Sequence, residues 1–181
     1  MRAVHFSRVR GGDYAGRMRS VIRTNPLARA GAAFLVGGLA VLVVHQPVVG
    51  LLHALGCTPI TPYSHRATQP WGVPVFLSLS FWGGMWTIRI AWILDRLSRG
   101  WVYWIGAVCL GAVPPTLTTW FVIFPLKGLS LSNAAASVGA VNALVVNGIW
   151  GLAFAFAWSQ IFVVSRLTAT TAAERSRTLA L

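Results

Sequence analysis

The stretch VLVVHQPVVGLLHALGC, residues 41–57, is apolar enough to lie in a lipid bilayer, yet His45, Gln46 and Pro47 stand at its centre. Proline has no backbone N–H, so a helix loses a hydrogen bond where proline occurs. In lipid, a carbonyl freed in this way needs another partner within the protein. The stretch therefore predicts a membrane-spanning helix that is bent at Pro47, with the carbonyl of Val43 left free and polar side chains beside the bend.

The composition of the whole chain extends this prediction. Of the 181 residues, 56% are hydrophobic and only 10% are charged, whereas soluble domains carry about 25% charged residues. Four runs are long enough to cross a bilayer, which takes roughly 20 apolar residues. They lie at about 27–55, 71–94, 101–124 and 135–164. The predicted fold class is all-α: a polytopic membrane protein with four transmembrane helices.

Three segments are predicted along the chain. Residues 1–26 form an Arg-rich N-terminal tail, residues 27–164 form the transmembrane domain, and residues 165–181 form a loose C-terminal tail. The formal charge of +12 is concentrated in the two tails and in the turn between the second and third runs. Basic residues gather on the cytoplasmic side of membrane proteins. We therefore predict that both termini are cytoplasmic.

The arginines of the N-terminal tail have two interpretations. The preferred one is a signal for topology. The alternative is contact with anionic lipid or with an acidic partner surface. Nucleic acid, which such a charge would suggest in a soluble protein, is not a predicted partner.

The fourth run carries a stripe of small residues. Every fourth position is small or polar: Gly139, Ala143, Asn147, Gly151 and Ala155. Such a stripe allows two helix backbones to approach closely in lipid. Asn147 is expected to bond to a neighbouring helix, and Asn142 is a second candidate polar contact in this run. Phe154, Phe156 and Trp158 are expected to face lipid or another protein.

Proline interrupts two of the runs. Pro47 lies in the first run, and Pro114 and Pro115 lie in the third. We interpret all three as helix breaks. Interrupted helices in corresponding positions of two halves are typical of transporter binding sites, although chance similarity explains the pattern equally well.

The side chains that most enzymes need are missing from the apolar runs. The three acids, Asp13, Asp95 and Glu174, all lie outside them, so no intramembrane proton relay and no catalysis is predicted. No metal site is predicted either, because neither cysteine has the spacing of one. His45 and His53 are eight residues apart on one helix and cannot clamp a haem from both sides.

His45 and Gln46 are nevertheless candidate ligand or interhelical contacts, together with Asn142 and Asn147. No cofactor is predicted outright. A lipid, a quinone or a tetrapyrrole held by His45 is left open, against the simpler interpretation of a histidine that bonds to neighbouring polar groups.

Several short motifs together resemble a family of small, uncharacterised bacterial inner-membrane proteins with four spans. They are HQP (45–47), TPYSHR (61–66), WGVP (71–74), FWGGMW (81–86), PLKG (125–128) and VNGIWG (146–151). The resemblance covers roughly residues 34–155. It implies the four-span topology and a location in the bacterial inner membrane, and it implies no activity.

Three functions are consistent with these features. The first is a non-catalytic accessory or structural subunit that docks in the bilayer onto a larger membrane complex, plausibly a photosynthetic or respiratory one. It rests on the lack of reactive groups and on the long aromatic and small-residue surfaces. The second is a small solute transporter or channel built on the broken helices. The third is quinone or tetrapyrrole binding through His45.

Overall fold

The computed structural model describes residues 18, 20–22, 24–126 and 138–178, and within the last helix it describes the side chains of residues 139–161. The protein is mostly helical. Contacts divide the chain into two compact units. Residues 31–158 form one unit, which contains all the candidate site residues, and residues 1–30 with 159–181 form the other.

The described residues form six helices and one small sheet. The helices are α1 (Pro26–Ala40), α2 (Gln46–Ala54), α3 (Val75–Leu94), α4 (Trp101–Thr118), α5 (Phe124–Leu126) and α6 (Val138–Thr178). Two π-helical turns, Val41–His45 and Thr119–Ile123, join α1 to α2 and α4 to α5. The strands β1 (Ala67–Thr68) and β2 (Val73–Pro74) pair in antiparallel orientation.

Three helices in the described part of the chain are long and apolar enough to cross a membrane. They are Pro26–Ala54, Trp101–Leu126 and Gly139–Ile161. These helices indicate a membrane-embedded, multi-pass protein. The 20-residue helix α3 does not belong to this set, so the four-span prediction is supported for three of its spans.

Both ends of the Pro26–Ala54 helix follow from local sequence. At its start, the Asn25 side chain accepts hydrogen bonds from two backbone N–H groups at 2.9 and 3.2 Å, and Pro26 occupies the first helical position, where its missing N–H costs nothing. At its end, Gly56 has φ +72°, and the Cys57 N–H donates to the Leu52 carbonyl at 2.8 Å. This is a Schellman cap, which glycine favours.

Two predicted boundaries differ from the structure. The helix predicted at 71–94 is α3. It begins at Val75 rather than Trp71, because residues 71–74 complete the hairpin, in whose turn Gly72 has φ +67°. The helix predicted at 135–164 is α6. It continues past residue 164 to Thr178, where a loose tail is predicted. The Ala-rich sequence after residue 164 contains neither glycine nor proline, the residues that usually end a helix.

Helices α1 and α3 pack closely through glycine. The Thr87 side chain lies against Gly37, in the space that a Cβ on this glycine would occupy. Its Oγ1 donates to the Ala33 carbonyl at 2.8 Å, and the Ser80 hydroxyl donates to the Gly38 carbonyl at the same distance. Small residues thus bring the backbones together, and hydroxyls bond across the contact as is typical in membranes.

Helices α4 and α6 approach even more closely. A Cβ added to Gly151 would lie 2.5 Å from the Ala107 carbonyl oxygen, and one added to Gly111 would lie 2.6 Å from the Cα of Gly151. One turn further along α6, the Ala155 carbonyl accepts the Tyr103 hydroxyl at 3.0 Å. Two members of the predicted stripe, Gly151 and Ala155, therefore lie in this contact.

Aromatic residues of α6 do not all face outward. Phe154 and Trp158 are 0% exposed and stack on each other, and the Trp158 indole N–H donates to Asp95 at 3.2 Å. The expectation that both residues face lipid or another protein is therefore wrong. Phe156, which lies between them, is 60% exposed. The indole N–H accounts for the burial of Trp158, since it finds its acceptor inside the protein.

We predict that Gly151→Leu destabilises the bundle, because its side chain would collide with backbone rather than with a movable side chain. Overpacking of this kind costs about 3 kcal/mol. Thermal unfolding in detergent, followed by circular dichroism, measures the effect. Gly31→Leu is the matched control, since no atom lies within 4 Å of a Cβ at that helical position. Equal unfolding temperatures for the two variants would contradict the close α4–α6 contact.

Candidate ligand-binding cavity

Residues 31–158 enclose a cavity of about 800 Å³. Its wall is mainly apolar and includes four tryptophans, Trp82, Trp86, Trp120 and Trp150. The four polar residues selected from the sequence, His45, Gln46, Asn142 and Asn147, all line it. An apolar cavity with a few convergent polar groups is the usual form of a small-molecule site.

The first wall of the cavity contains the π turn that precedes Pro47. In this turn the Gln46 N–H donates to the carbonyl of Val41, five residues earlier, as π-helical geometry requires. By the same count, the N–H that Pro47 lacks would have reached the carbonyl of Leu42. That carbonyl instead accepts the Tyr63 hydroxyl at 2.7 Å. The freed carbonyl is therefore that of Leu42, and Tyr63 supplies its hydrogen bond. The expectation of a free carbonyl at Val43, satisfied by neighbouring side chains, assumed α-helical pairing four residues back, whereas the π turn pairs five residues back.

The Gln46 side chain binds the backbone N–H of the same tyrosine. The Gln46 side chain is 3% exposed, and its Oε1 accepts the Tyr63 N–H at 2.7 Å. Tyr63 has φ +50°, in the left-handed region that side chains other than glycine rarely adopt. Two hydrogen bonds to the broken helix thus stabilise an otherwise unfavourable backbone conformation.

The loop of residues 55–66 covers one end of the cavity. Thr58, Ile60, Thr61 and Ser64 from this loop contribute to the cavity wall. Elsewhere in the loop, the Asn142 side chain donates to the Cys57 carbonyl at 2.6 Å. Gln46 and Asn142, two of the predicted site residues, therefore fix the loop in place from two different helices.

His45 and Asn147 form a polar cluster in the cavity wall. The Asn147 Nδ2 donates to the Thr116 hydroxyl at 2.9 Å, and the same Asn147 side chain is a neighbour of His45. His45 Nδ1 is buried and has no hydrogen-bond partner within the described part of the chain. An unpaired buried acceptor or donor costs about 1–3 kcal/mol, so this nitrogen is the atom that a ligand would satisfy.

The second wall contains a second break of the same form. The π turn Thr119–Ile123 is followed by Phe124 and Pro125, just as Val41–His45 is followed by Gln46 and Pro47. Phe124 N–H donates five residues back, to the Thr119 carbonyl. Pro125 is thus the counterpart of Pro47, a residue that sequence reasoning missed.

The prolines selected from the sequence lie further back along the same helix. Pro114 and Pro115 are inside α4, which continues as α-helix to Thr118, so the interruption begins four residues after Pro115. The carbonyl of Pro115 accepts the Thr119 hydroxyl at 2.9 Å. Of the predicted breaks, Pro115 lines the cavity, whereas Pro47 and Pro114 do not.

The predicted stripe on α6 is divided between two roles. Gly139 and Ala143 line the cavity with Asn147, whereas Gly151 and Ala155 pack against α4. The cavity therefore lies where the close α4–α6 packing ends. Within the described residues, no three His, Cys, Asp or Glu side chains form a group that could hold a metal ion.

Comparisons with protein-family models, with curated proteins and with solved structures give no match to this chain.

We predict that Tyr63→Phe loosens the loop of residues 55–66, because it removes the hydroxyl that bonds to Leu42. Loss of one hydrogen bond of about 1 kcal/mol speeds local amide hydrogen exchange roughly five-fold. Exchange measured by mass spectrometry should show this increase at residues 58–66. Tyr103→Phe is the matched control: it loses a bond inside the bundle and should lower the unfolding temperature while leaving loop exchange unchanged. Unchanged loop exchange in Tyr63→Phe would refute the anchoring role.

Proposed function

We propose that the protein is a membrane-embedded binding protein for a lipophilic molecule that carries an O–H or N–H group, such as a quinol, and that His45 holds this group in the cavity. The observation that carries the proposal is the unpartnered, buried Nδ1 of His45 in the wall of an apolar cavity.

The direction follows from the neighbours of the ring. The Asn147 amide donates one of its two N–H groups to Thr116, and its oxygen is available to accept from an imidazole N–H. A neutral imidazole with one nitrogen donating presents the other nitrogen as an acceptor. His45 Nδ1 would then accept a hydrogen bond from a ligand. A quinol hydroxyl can donate this bond, whereas the carbonyls of the oxidised quinone cannot.

The size and lining of the cavity support the same class of ligand. A volume of about 800 Å³ lies within the range of small-molecule sites, roughly 300–1,000 Å³. Trp82, Trp86, Trp120 and Trp150 provide flat apolar surfaces for a ring or a hydrocarbon chain. The lone pair at Nδ1 would also suit the metal of a tetrapyrrole, and an absorption spectrum of the purified protein distinguishes that ligand from a quinol.

Two other hypotheses from the sequence stay predictions. Transport is favoured by one observation, the pair of π turns followed by X-Pro on two walls of the cavity, and solute flux in proteoliposomes is its test. An accessory subunit of a larger, energy-converting complex would co-purify with that complex in mild detergent. Exposed apolar residues do not distinguish this role, because lipid covers such surfaces equally well.

We further propose four spans, with α3 as the second, both termini in the cytoplasm and a location in the bacterial inner membrane. The 20 residues of α3 would extend about 30 Å, the thickness of the hydrocarbon core. Arg96 and Arg99 follow α3 directly, which supports a cytoplasmic position for the turn before α4.

The topology predicts a difference between the two cysteines, both free thiols. Cys57 follows α2 and should react with a membrane-impermeant maleimide added outside intact spheroplasts. Cys109 lies within α4 and should not react, because thiolate formation needs water. Cys57→Ser should abolish the labelling, whereas labelling of Cys57 only in inverted vesicles would contradict the proposed orientation.

The ligand proposal predicts that the purified protein binds a short-chain benzoquinol more tightly than the matching benzoquinone. His45→Leu should weaken quinol binding about ten-fold or more, since a buried hydrogen bond to a ligand contributes about 1–3 kcal/mol. Titration of the tryptophan fluorescence gives both affinities.

His53→Leu is the matched control for that experiment. His53 lies on the same continuous helix, but it bonds to the Thr58 carbonyl at 3.0 Å and does not line the cavity. Quinol affinity should be unchanged in this variant. Equal affinities for quinol and quinone, or equal losses in the two histidine variants, would overturn the proposal.

A further inference from the structure

Arg89 places a positive charge in the wall of the cavity. It is the cationic side chain among the described residues that line the cavity. It lies within α3, five residues before the end of the helix at Leu94. An arginine at such a depth extends its long stem toward the head groups of the bilayer. The cavity therefore has a charged end that the quinol proposal does not use.

The charged end is far from His45. Ala33 is level with Thr87, as the hydrogen bond between them shows, and twelve residues separate Ala33 from His45 along the first helix. Arg89 lies two residues beyond Thr87 on α3, which runs in the opposite direction. At about 1.5 Å per residue, the two polar ends of the cavity are roughly 20 Å apart along the helix axes.

A continuous apolar face of α3 connects the two ends. Val75, Leu79, Trp82, Trp86 and Arg89 all line the cavity, and their spacing places them on one side of the helix. The face extends over 14 residues, or about 21 Å. Its length and shape suit an extended hydrocarbon chain better than a compact solute.

The guanidinium of Arg89 has no anionic partner in the described part of the chain. Its recorded neighbour is the Trp86 ring, 5.9 Å from the guanidinium carbon. Asp95 is the acid whose side chain the structure describes, and its carboxylate accepts the Trp158 indole N–H. A planar guanidinium near an aromatic ring, in the wall of an apolar cavity, is suited to binding phosphate.

We propose that Arg89 binds the phosphate of an anionic phospholipid, one acyl chain of which lies in the cavity along α3. This site is separate from the His45 cluster and does not rest on quinol binding. The charge selects an anionic lipid, and the apolar face selects a lipid rather than free phosphate.

The test uses the full chain in detergent with phospholipids brominated on the acyl chain, since bromine quenches nearby tryptophans. Brominated phosphatidylglycerol should quench the tryptophans that line the cavity at about five-fold lower concentration than brominated phosphatidylcholine, the contribution typical of one arginine near an anionic membrane surface. Arg89→Gln should remove this preference, and Arg89→Lys should retain most of it.

Arg96→Gln is the matched control. It removes the same charge from an arginine that also lies on a tryptophan ring, Trp92, but that does not line the cavity. The preference for phosphatidylglycerol should survive in this variant. Equal quenching by the two lipids, or loss of the preference in Arg96→Gln as well, would overturn the proposal. So would full competition by millimolar inorganic phosphate, which would indicate an anion site without a lipid chain.

The two proposed sites fail in different ways. Loss of the lipid preference leaves the benzoquinol affinity and its dependence on His45 untouched. Absence of benzoquinol binding leaves the lipid preference and its dependence on Arg89 untouched.

Discussion

The missing N–H of Pro47 is the constraint on which the cavity depends. Because the proline cannot donate, the helix widens into a π turn, and the Leu42 carbonyl becomes available to the Tyr63 hydroxyl. Gln46, the residue just before the proline, then accepts the N–H of the same tyrosine. A single proline thus determines where the loop of residues 55–66 attaches, and the loop in turn closes one end of the cavity.

Close packing elsewhere determines where the cavity can be. Lipid provides no hydrophobic driving force between helices, so contact depends on small residues and on hydrogen bonds between helices. Gly37 leaves room for the Thr87 side chain between α1 and α3, and Gly111 brings α4 against the backbone of Gly151 on α6. Beyond these contacts the helices separate, and aromatic and polar side chains line the space between them. The same helices are therefore tightly packed over one part of their length and line the cavity over another part.

Apolar run length and small-residue spacing predicted the helices and one of their contacts, because both depend on local sequence. Pro47 with its polar neighbours predicted a bend, but the tyrosine that satisfies it comes from 21 residues away, and no local pattern contains that pairing. Pro125 was missed because its π turn carries no polar residue at the position of His45. Phe154 and Trp158 were placed outside because hydropathy does not show that an indole N–H has an acceptor such as Asp95. The position of Arg89 in the cavity wall could not be predicted, because it depends on how four helices pack around the cavity.

Stiffness differs between the helices of the larger unit. The helices Pro26–Ala54 and Trp101–Leu126 each lose backbone hydrogen bonds at a π turn and an X-Pro step, whereas α3 continues over 20 residues without proline. The broken helices form walls of the cavity, and the unbroken α3 forms the face between its two polar ends. Elastic deformation of this unit is therefore anisotropic: the width of the cavity is its soft dimension, and its length along α3 is its rigid one.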